Sequence, residues 1–101
     1  MPGAATPTEA FAALDAGADA IKLFPAEILP PPAVKAWRAV MPRSIGLYPV
    51  GGITPQRMAD YWHAGASGFG LGSALFTPGL SLAELAANAD SFVGAFAALP
   101  R

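Results

Sequence analysis

Apolar positions recur along the chain at two alternating spacings, and each spacing predicts a different kind of element. Asp19 to Phe24 alternates, so that Ala20, Lys22 and Phe24 share one side of an extended strand and Ile21 and Leu23 the other. Pro25 closes that strand, because a proline cannot donate to a central ladder. Ser44 to Val50, with Ile45, Leu47 and Tyr48, reads as a second strand, and Ser67 to Leu71 as a short third. Between them the spacing lengthens to three and four residues. Thr6-Pro7-Thr8-Glu9 opens a helix running to about Ala16, with Thr6 as cap, Pro7 in the first turn and Phe11 and Leu14 on one side. Gly17 ends it. A second helix spans about Pro32 to Val40, turning Val34, Trp37 and Met41 inward and Lys35 and Arg38 to water. A third follows the Thr54-Pro55 start, carries Met58, Tyr61 and Trp62, and stops at Gly65. The last is capped by Ser81 with Glu84 and bears a stripe of Leu82, Leu85, Ala89, Phe92, Phe96 and Leu99. Met1 to Ala5 is too short to make a complete element.

A helix followed by three strand–helix units predicts parallel strands with right-handed crossover helices. The units are about 25 residues long, the repeat of an eight-stranded (β/α)8 barrel, which needs roughly 200 to 250 residues. The 101 residues are one domain's worth and supply about half of such a barrel. No linker or internal boundary divides them, so residues 1–101 form one partial barrel domain.

Composition narrows the chemistry. A net charge of -1 gives no field to favour nucleic acid or anionic lipid. There is no cysteine and a single histidine, His63, so thiol chemistry is excluded and an imidazole-based metal site is not expected. Prolines, glycines and charges break every apolar run before it reaches a membrane span. No basic leader opens the chain, and a cytoplasmic location is the default expectation. Hydrophobic residues make up 53% of the chain and charged ones 13%, an apolar surplus that predicts contact with another chain or self-association.

Lys22 is the candidate nucleophile. Ligands bind at the C-terminal ends of strands in α/β folds, and Lys22 lies one or two residues from such an end. A lysine amine among apolar side chains is driven toward its neutral, nucleophilic form and attacks carbonyls to give a Schiff base. Gly51-Gly52 and Gly72-Ser73 follow the next two strands. Their backbone N–H groups and the Ser73 hydroxyl suit an anion such as phosphate. The implied substrate is a short phosphorylated compound with a carbonyl at its other end. Glu9 reads as a helix cap, and Glu27 follows the strand closely but faces solvent. Two other readings fit the same residues: a barrel isomerase or synthase that leaves Lys22 idle, and a non-catalytic phosphate-binding or structural fragment.

Pro2-Gly3, Thr6 to Glu9, Ile21-Lys22-Leu23-Phe24-Pro25-Ala26-Glu27, Pro49-Val50-Gly51-Gly52-Ile53 and Gly70 to Leu75 resemble, in order, motifs of the 2-keto-3-deoxy-6-phospho sugar-acid aldolases. The resemblance implies a class I, metal- and cofactor-independent aldolase with a TIM barrel, usually a homotrimer. The present residues would be its C-terminal half, parallel strands six to eight with flanking helices. It makes Lys22 the Schiff-base lysine and Gly51, Gly52, Gly72 and Ser73 phosphate contacts. Pro25 would shape the pyruvate end. Val50 stands where gluconate-type members usually carry a threonine that meets the substrate's C4 hydroxyl. A valine points instead to the galactonate epimer, the gluconate substrate being the alternative. The family's catalytic glutamate and substrate-binding arginines lie outside the resembling stretch. The expectation is therefore that the isolated chain turns over little or no substrate and self-associates through its open sheet edges.

Overall fold

The computed structural model describes residues 1–101. Three parallel strands, β1 (Gly3–Ala4), β2 (Ala20–Leu23) and β3 (Gly46–Pro49), form one sheet in that order. Helix α1 (Pro7–Asp15) joins β1 to β2, and α2 (Pro31–Val40) joins β2 to β3 after a 3-10 turn at Ala26–Ile28. A second 3-10 turn, Pro55–Arg57, runs into α3 (Met58–Ala64), and α4 (Leu82–Ala97) closes the chain. The arrangement is half of a parallel β/α barrel. None of its helices is long and apolar enough to cross a membrane.

Side-chain alternation divides the sheet into two faces. Ile21, Leu23, Leu47 and Pro49 are buried, and Ala10, Val34, Trp37, Met41, Met58, Tyr61 and Phe92 from the four helices gather with the aliphatic members of that set into one core. Each fully buried aliphatic side chain contributes about 1.5–3 kcal/mol. All the helices thus lie on one side. The opposite face carries Gly3, Ala20, Lys22, Gly46 and Tyr48, none of them fully buried. This is the side that a closed barrel turns inward.

Local sequence explains most boundaries. Thr6 Oγ1 accepts from Glu9 N at 3.2 Å, and Glu9 Oε1 accepts from Ala5 N at 3.2 Å and Thr6 Oγ1 at 3.0 Å. Glu9 is therefore occupied as a cap. Ser81 Oγ likewise accepts from Glu84 N at 3.1 Å.

Four expectations need correction. Ser67–Leu71 does not form a regular strand: Ser67 N donates to Leu47 O at 2.8 Å and Gly70 N to Pro49 O at 2.9 Å, and one isolated parallel bridge joins Gly70 to Val50 just beyond β3. Leu47 N donates to the Ser67 hydroxyl at 3.0 Å, so a side chain takes a rung of the ladder that a carbonyl would fill. Arg38 does not face water. It is half-buried and donates to Gly65 O at 2.9 and 3.1 Å, Ile45 O at 2.8 Å and Ser67 Oγ at 3.2 Å, and burial lowers its pKa. The stripe on α4 is buried only at its C-terminal half, since Phe92 is 3% exposed and Leu82 86%. Finally, Gly3–Ala4 is a true strand, held by Lys22 N donating to Pro2 O at 2.9 Å and Phe24 N to Ala4 O at 3.2 Å.

Candidate active site

Lys22 sits between two strands that treat its side chain differently. Gly3 on β1 and Tyr48 on β3 are its register partners. The lysine stem passes over Gly3, where a Cβ would stand in ordinary contact, 3.5 Å from Lys22 Cε. On the other side the Tyr48 ring lies back between Gly46 and Gly68, where added Cβ atoms would come within 2.6 and 2.7 Å of it. Tyr48 thus fills the inward face beside the lysine stem and leaves its amine free. The Nζ lies 4.9 Å from the centroid of the exposed Phe24 ring, in cation–π range.

Beyond Lys22 the chain passes through a cis Phe24-Pro25 peptide into the 3-10 turn. Val50 N donates to Leu23 O at 2.9 Å, and Ala26 N to Val50 O at 2.8 Å. These two bonds stitch the end of β2 to the turn after β3, so Lys22, Pro25, Val50, Gly51 and Gly52 share one rim. Val50 is also pressed against the neighbouring segment, since a Cβ on Gly70 would meet its Cγ2 at 2.4 Å. Gly72 and Ser73 follow two residues further on and are exposed. The rim has a feature suited to an anion. The N–H groups of Gly52, Gly72 and Ser73 donate to nothing within the chain, while that of Gly51 faces Gly70 O across the Val50–Gly70 bridge.

Glu27 is solvent-exposed, as expected. Its carboxylate lies over the Gly51-Gly52 turn, where a Cβ on Gly51 would come within 2.4 Å of Oε1. His63 is exposed on α3 and takes no part in the rim.

Sequence spacing read Tyr61 as a packing residue and missed its hydroxyl. Tyr61 is fully buried, and that hydroxyl bridges to Ala26 O at 3.0 Å and Leu29 O at 3.1 Å, while Arg57 Nη2 donates to it at 3.3 Å. Arg57 also donates to Gly52 O at 3.2 Å. The pair ties α3 to the turn beyond Lys22 and to the glycine turn at once. An arginine four residues before a tyrosine, where the 3-10 turn runs into α3, is the available signal. Burial raises the Tyr61 pKa, Arg57 lowers it and Glu27 raises it. Tyr61→Phe is expected to cost about 1–3 kcal/mol by leaving the buried Leu29 carbonyl without its donor, Ala26 O keeping the Leu29 N–H at 3.0 Å. Denaturant midpoints check this. Because folding raises this phenol's pKa, its contribution is complete below the ordinary phenol range and falls as the pH rises through it. Tyr61→Phe should lack that part of the alkaline loss.

Comparison with known proteins adds a family. The model described as "Aldolase: KDPG and KHG aldolase" matches residues 1–88. The 2-dehydro-3-deoxy-6-phosphogalactonate aldolase of Escherichia coli (strain K12) is 47% identical over 95 residues, spanning 94% of this chain and 46% of that protein. A probable 2-dehydro-3-deoxy-6-phosphogalactonate aldolase of Rhizobium meliloti (strain 1021) is 43% identical over 99 residues, spanning 98% and 47%. A solved structure described as native KDPGal superposes with a TM-score of 0.92 at 47% identity, over 95% of this chain and 47% of that one. A cube-shaped, porous cage designed by fusing symmetric oligomeric domains contains the same fold, with a TM-score of 0.92 over 95% of this chain and 36% of that one. The chain spans about half the length of the curated relatives it matches.

Proposed function

The chain belongs to the KDPG and KHG aldolase family, and from that premise we propose that it supplies the Schiff-base portion of a class I aldolase acting on 2-dehydro-3-deoxy-6-phospho-D-galactonate. In this reading β2, β3 and the Ser67–Leu71 segment are strands six to eight of one barrel, of which the 101 residues form a single partial domain. The complete enzyme is a cytoplasmic homo-oligomer, a trimer by family resemblance.

The Lys22 amine attacks the C2 carbonyl, and loss of water gives a protonated imine. A base removes the proton of the C4 hydroxyl. The C3–C4 bond breaks, its electron pair passes into the imine to give an enamine, and D-glyceraldehyde 3-phosphate leaves. Protonation at C3 and hydrolysis of the imine then release pyruvate and restore the amine. Gly51, Gly52, Gly72 and Ser73 hold the phosphate and so orient the C4 hydroxyl. Pro25 borders the pyruvate end. Val50 offers methyl groups and no hydroxyl near C4, which favours the galactonate epimer. The base belongs to strands that complete the barrel, since Glu9 is committed to its cap.

The observation that carries this reading is the placement of Lys22 on the inward face, one residue from the end of β2, beside a turn with unbonded N–H groups. Reductive trapping tests it. Pyruvate and borohydride should place one pyruvyl group on Lys22, and the Lys22→Met variant should take none. Modification shared equally with Lys35, or none at all, would remove the reading.

A further inference from the structure

We infer that Arg57 is a positioning residue for the substrate's phosphate, an inference that rests on the reading of Gly51-Gly52 as a phosphate turn: the guanidinium grips the Gly52 carbonyl and so fixes which way the turn presents its N–H groups.

Arg57 ends the 3-10 turn that runs into α3, and its side chain is half-buried. Two of its arms are engaged at once. Nη1 donates to Gly52 O at 3.2 Å and Nη2 to the Tyr61 hydroxyl at 3.3 Å, with the guanidinium 5.5 Å from the centroid of the Tyr61 ring. Tyr61 is a fixed anchor. It is fully buried, and its hydroxyl lies 3.0 Å from Ala26 O and 3.1 Å from Leu29 O. Ala26 N in turn donates to Val50 O at 2.8 Å, one residue before the glycines. The bonds therefore run in a ring through Val50, Ala26, Tyr61, Arg57 and Gly52. Arg57 supplies the two links that close it.

Gly52 has no other hold. Gly51 and Gly52 take φ values of 111° and 68°, and two glycines in succession leave the turn many alternatives. Gly52 N–H has no acceptor in the chain, and Gly52 O has no donor but Arg57. A trans peptide is planar, with its C=O and N–H pointing opposite ways. Holding Gly52 O toward Arg57 thus turns the Ile53 N–H away from that side chain. Ile53 N–H also lacks an acceptor in the chain, although Ile53 is only 2% exposed. Successive N–H groups left open in this way suit an anionic oxygen. The planar fork matters as much as the charge. Lysine keeps the cation, but its single ammonium cannot span two acceptors in the same rigid geometry. An effect of charge alone, whether on the phosphate or on the Glu27 carboxylate over the turn, would survive in Arg57→Lys.

The test uses a complete barrel, these residues joined to the part of the Escherichia coli relative that lies outside the match. Kinetics of Arg57→Lys and Arg57→Met are measured on the phosphorylated 2-keto-3-deoxy acid and on its unphosphorylated counterpart, and binding of inorganic phosphate by titration calorimetry. In both variants the preference in kcat/KM for the phosphorylated substrate should fall roughly 10-fold or more, chiefly through KM, and phosphate should bind weaker by a similar factor. A brace that merely stabilised the fold would lower the melting temperature and scale both substrates alike. Equal losses on the two substrates would overturn the inference. So would an Arg57→Lys barrel that keeps the phosphate preference, or an unsubstituted barrel that cleaves the substrate and binds no phosphate. An unsubstituted barrel that cleaves nothing, yet binds phosphate about 10-fold more tightly than its Arg57→Lys variant, would overturn the aldolase reading and leave this one standing.

Discussion

Joined to the part of the Escherichia coli relative that lies outside the match, these residues are expected to cleave the phosphorylated 2-keto-3-deoxy acid, and Lys22→Met is expected to lower kcat by on the order of 10⁴-fold or more. The size of the effect follows from what the amine does. Without the imine there is no electron sink for the breaking C3–C4 bond, and no other group on the rim can form a covalent adduct with a ketone. Lys22→Arg separates this from simple charge. A guanidinium keeps the cation but stays protonated and cannot attack a carbonyl, so it should lose as much. If Lys22 only attracted the substrate carboxylate, the arginine variant would keep most of the turnover. The loss should not reflect unfolding. Lys22 is half-buried with Gly3 beside it, so a methionine fits the same space at a cost below about 1.5 kcal/mol. Steady-state kinetics with thermal melts of both variants decides the matter. Turnover within tenfold of the unsubstituted chimaera would remove Lys22 from the chemistry.

Legibility in the sequence differs from element to element for physical reasons. Helix starts at Thr6 and Ser81 were readable because capping is a local contract between a hydroxyl and an N–H three residues away. The two faces of β2 were readable because a strand alternates and Lys22 interrupts an otherwise apolar run. The strand at Gly3–Ala4 was not, since two residues become a strand only through the pairing that β2 provides. Ser67–Leu71 was over-read for the converse reason: its apolar residues suit a strand, but the Ser67 hydroxyl and an unpaired edge leave it a single bridge. Helical spacing alone turns Arg38 to water, whereas the carbonyls of Ile45 and of Gly65, 27 residues away, draw it in. At the candidate site the glycine turns were visible as motifs. The positions of Glu27 over one of them and of Tyr61 beneath it depend on packing between elements, which no local pattern records.

The two glycine turns, alike in sequence, are expected to respond very differently to one added methyl group. Gly51 has φ 111°, a conformation that side chains rarely adopt, and its Cβ would stand 3.2 Å from Ala26 N and inside the Glu27 carboxylate. Glu27 could swing away, but Ala26 N is backbone and is committed to Val50 O at 2.8 Å. Gly51→Ala therefore strains the turn and pushes on the stitch that holds it beside Lys22. The expected cost is about 1–3 kcal/mol. In the completed barrel, kcat/KM for the phosphorylated substrate should fall on the order of 100-fold, because a small misplacement of the phosphate misaligns the C4 hydroxyl. Gly72 has no positive φ, and nothing lies within 4 Å of its Cβ position. Gly72→Ala should change stability by no more than about 0.5 kcal/mol and leave the unfolding midpoint where it was. Any effect of that variant on KM then reports on the ligand alone, since only a bound phosphate would fill the space the methyl enters. Comparing each variant on phosphorylated and unphosphorylated substrates isolates that term. If Gly72→Ala leaves both KM values unchanged, the phosphate lies elsewhere on the rim and the Gly72-Ser73 turn has no part in holding it. If Gly51→Ala is neutral in both stability and rate, the strain and the crowding by Ala26 are not what set the shape of this turn.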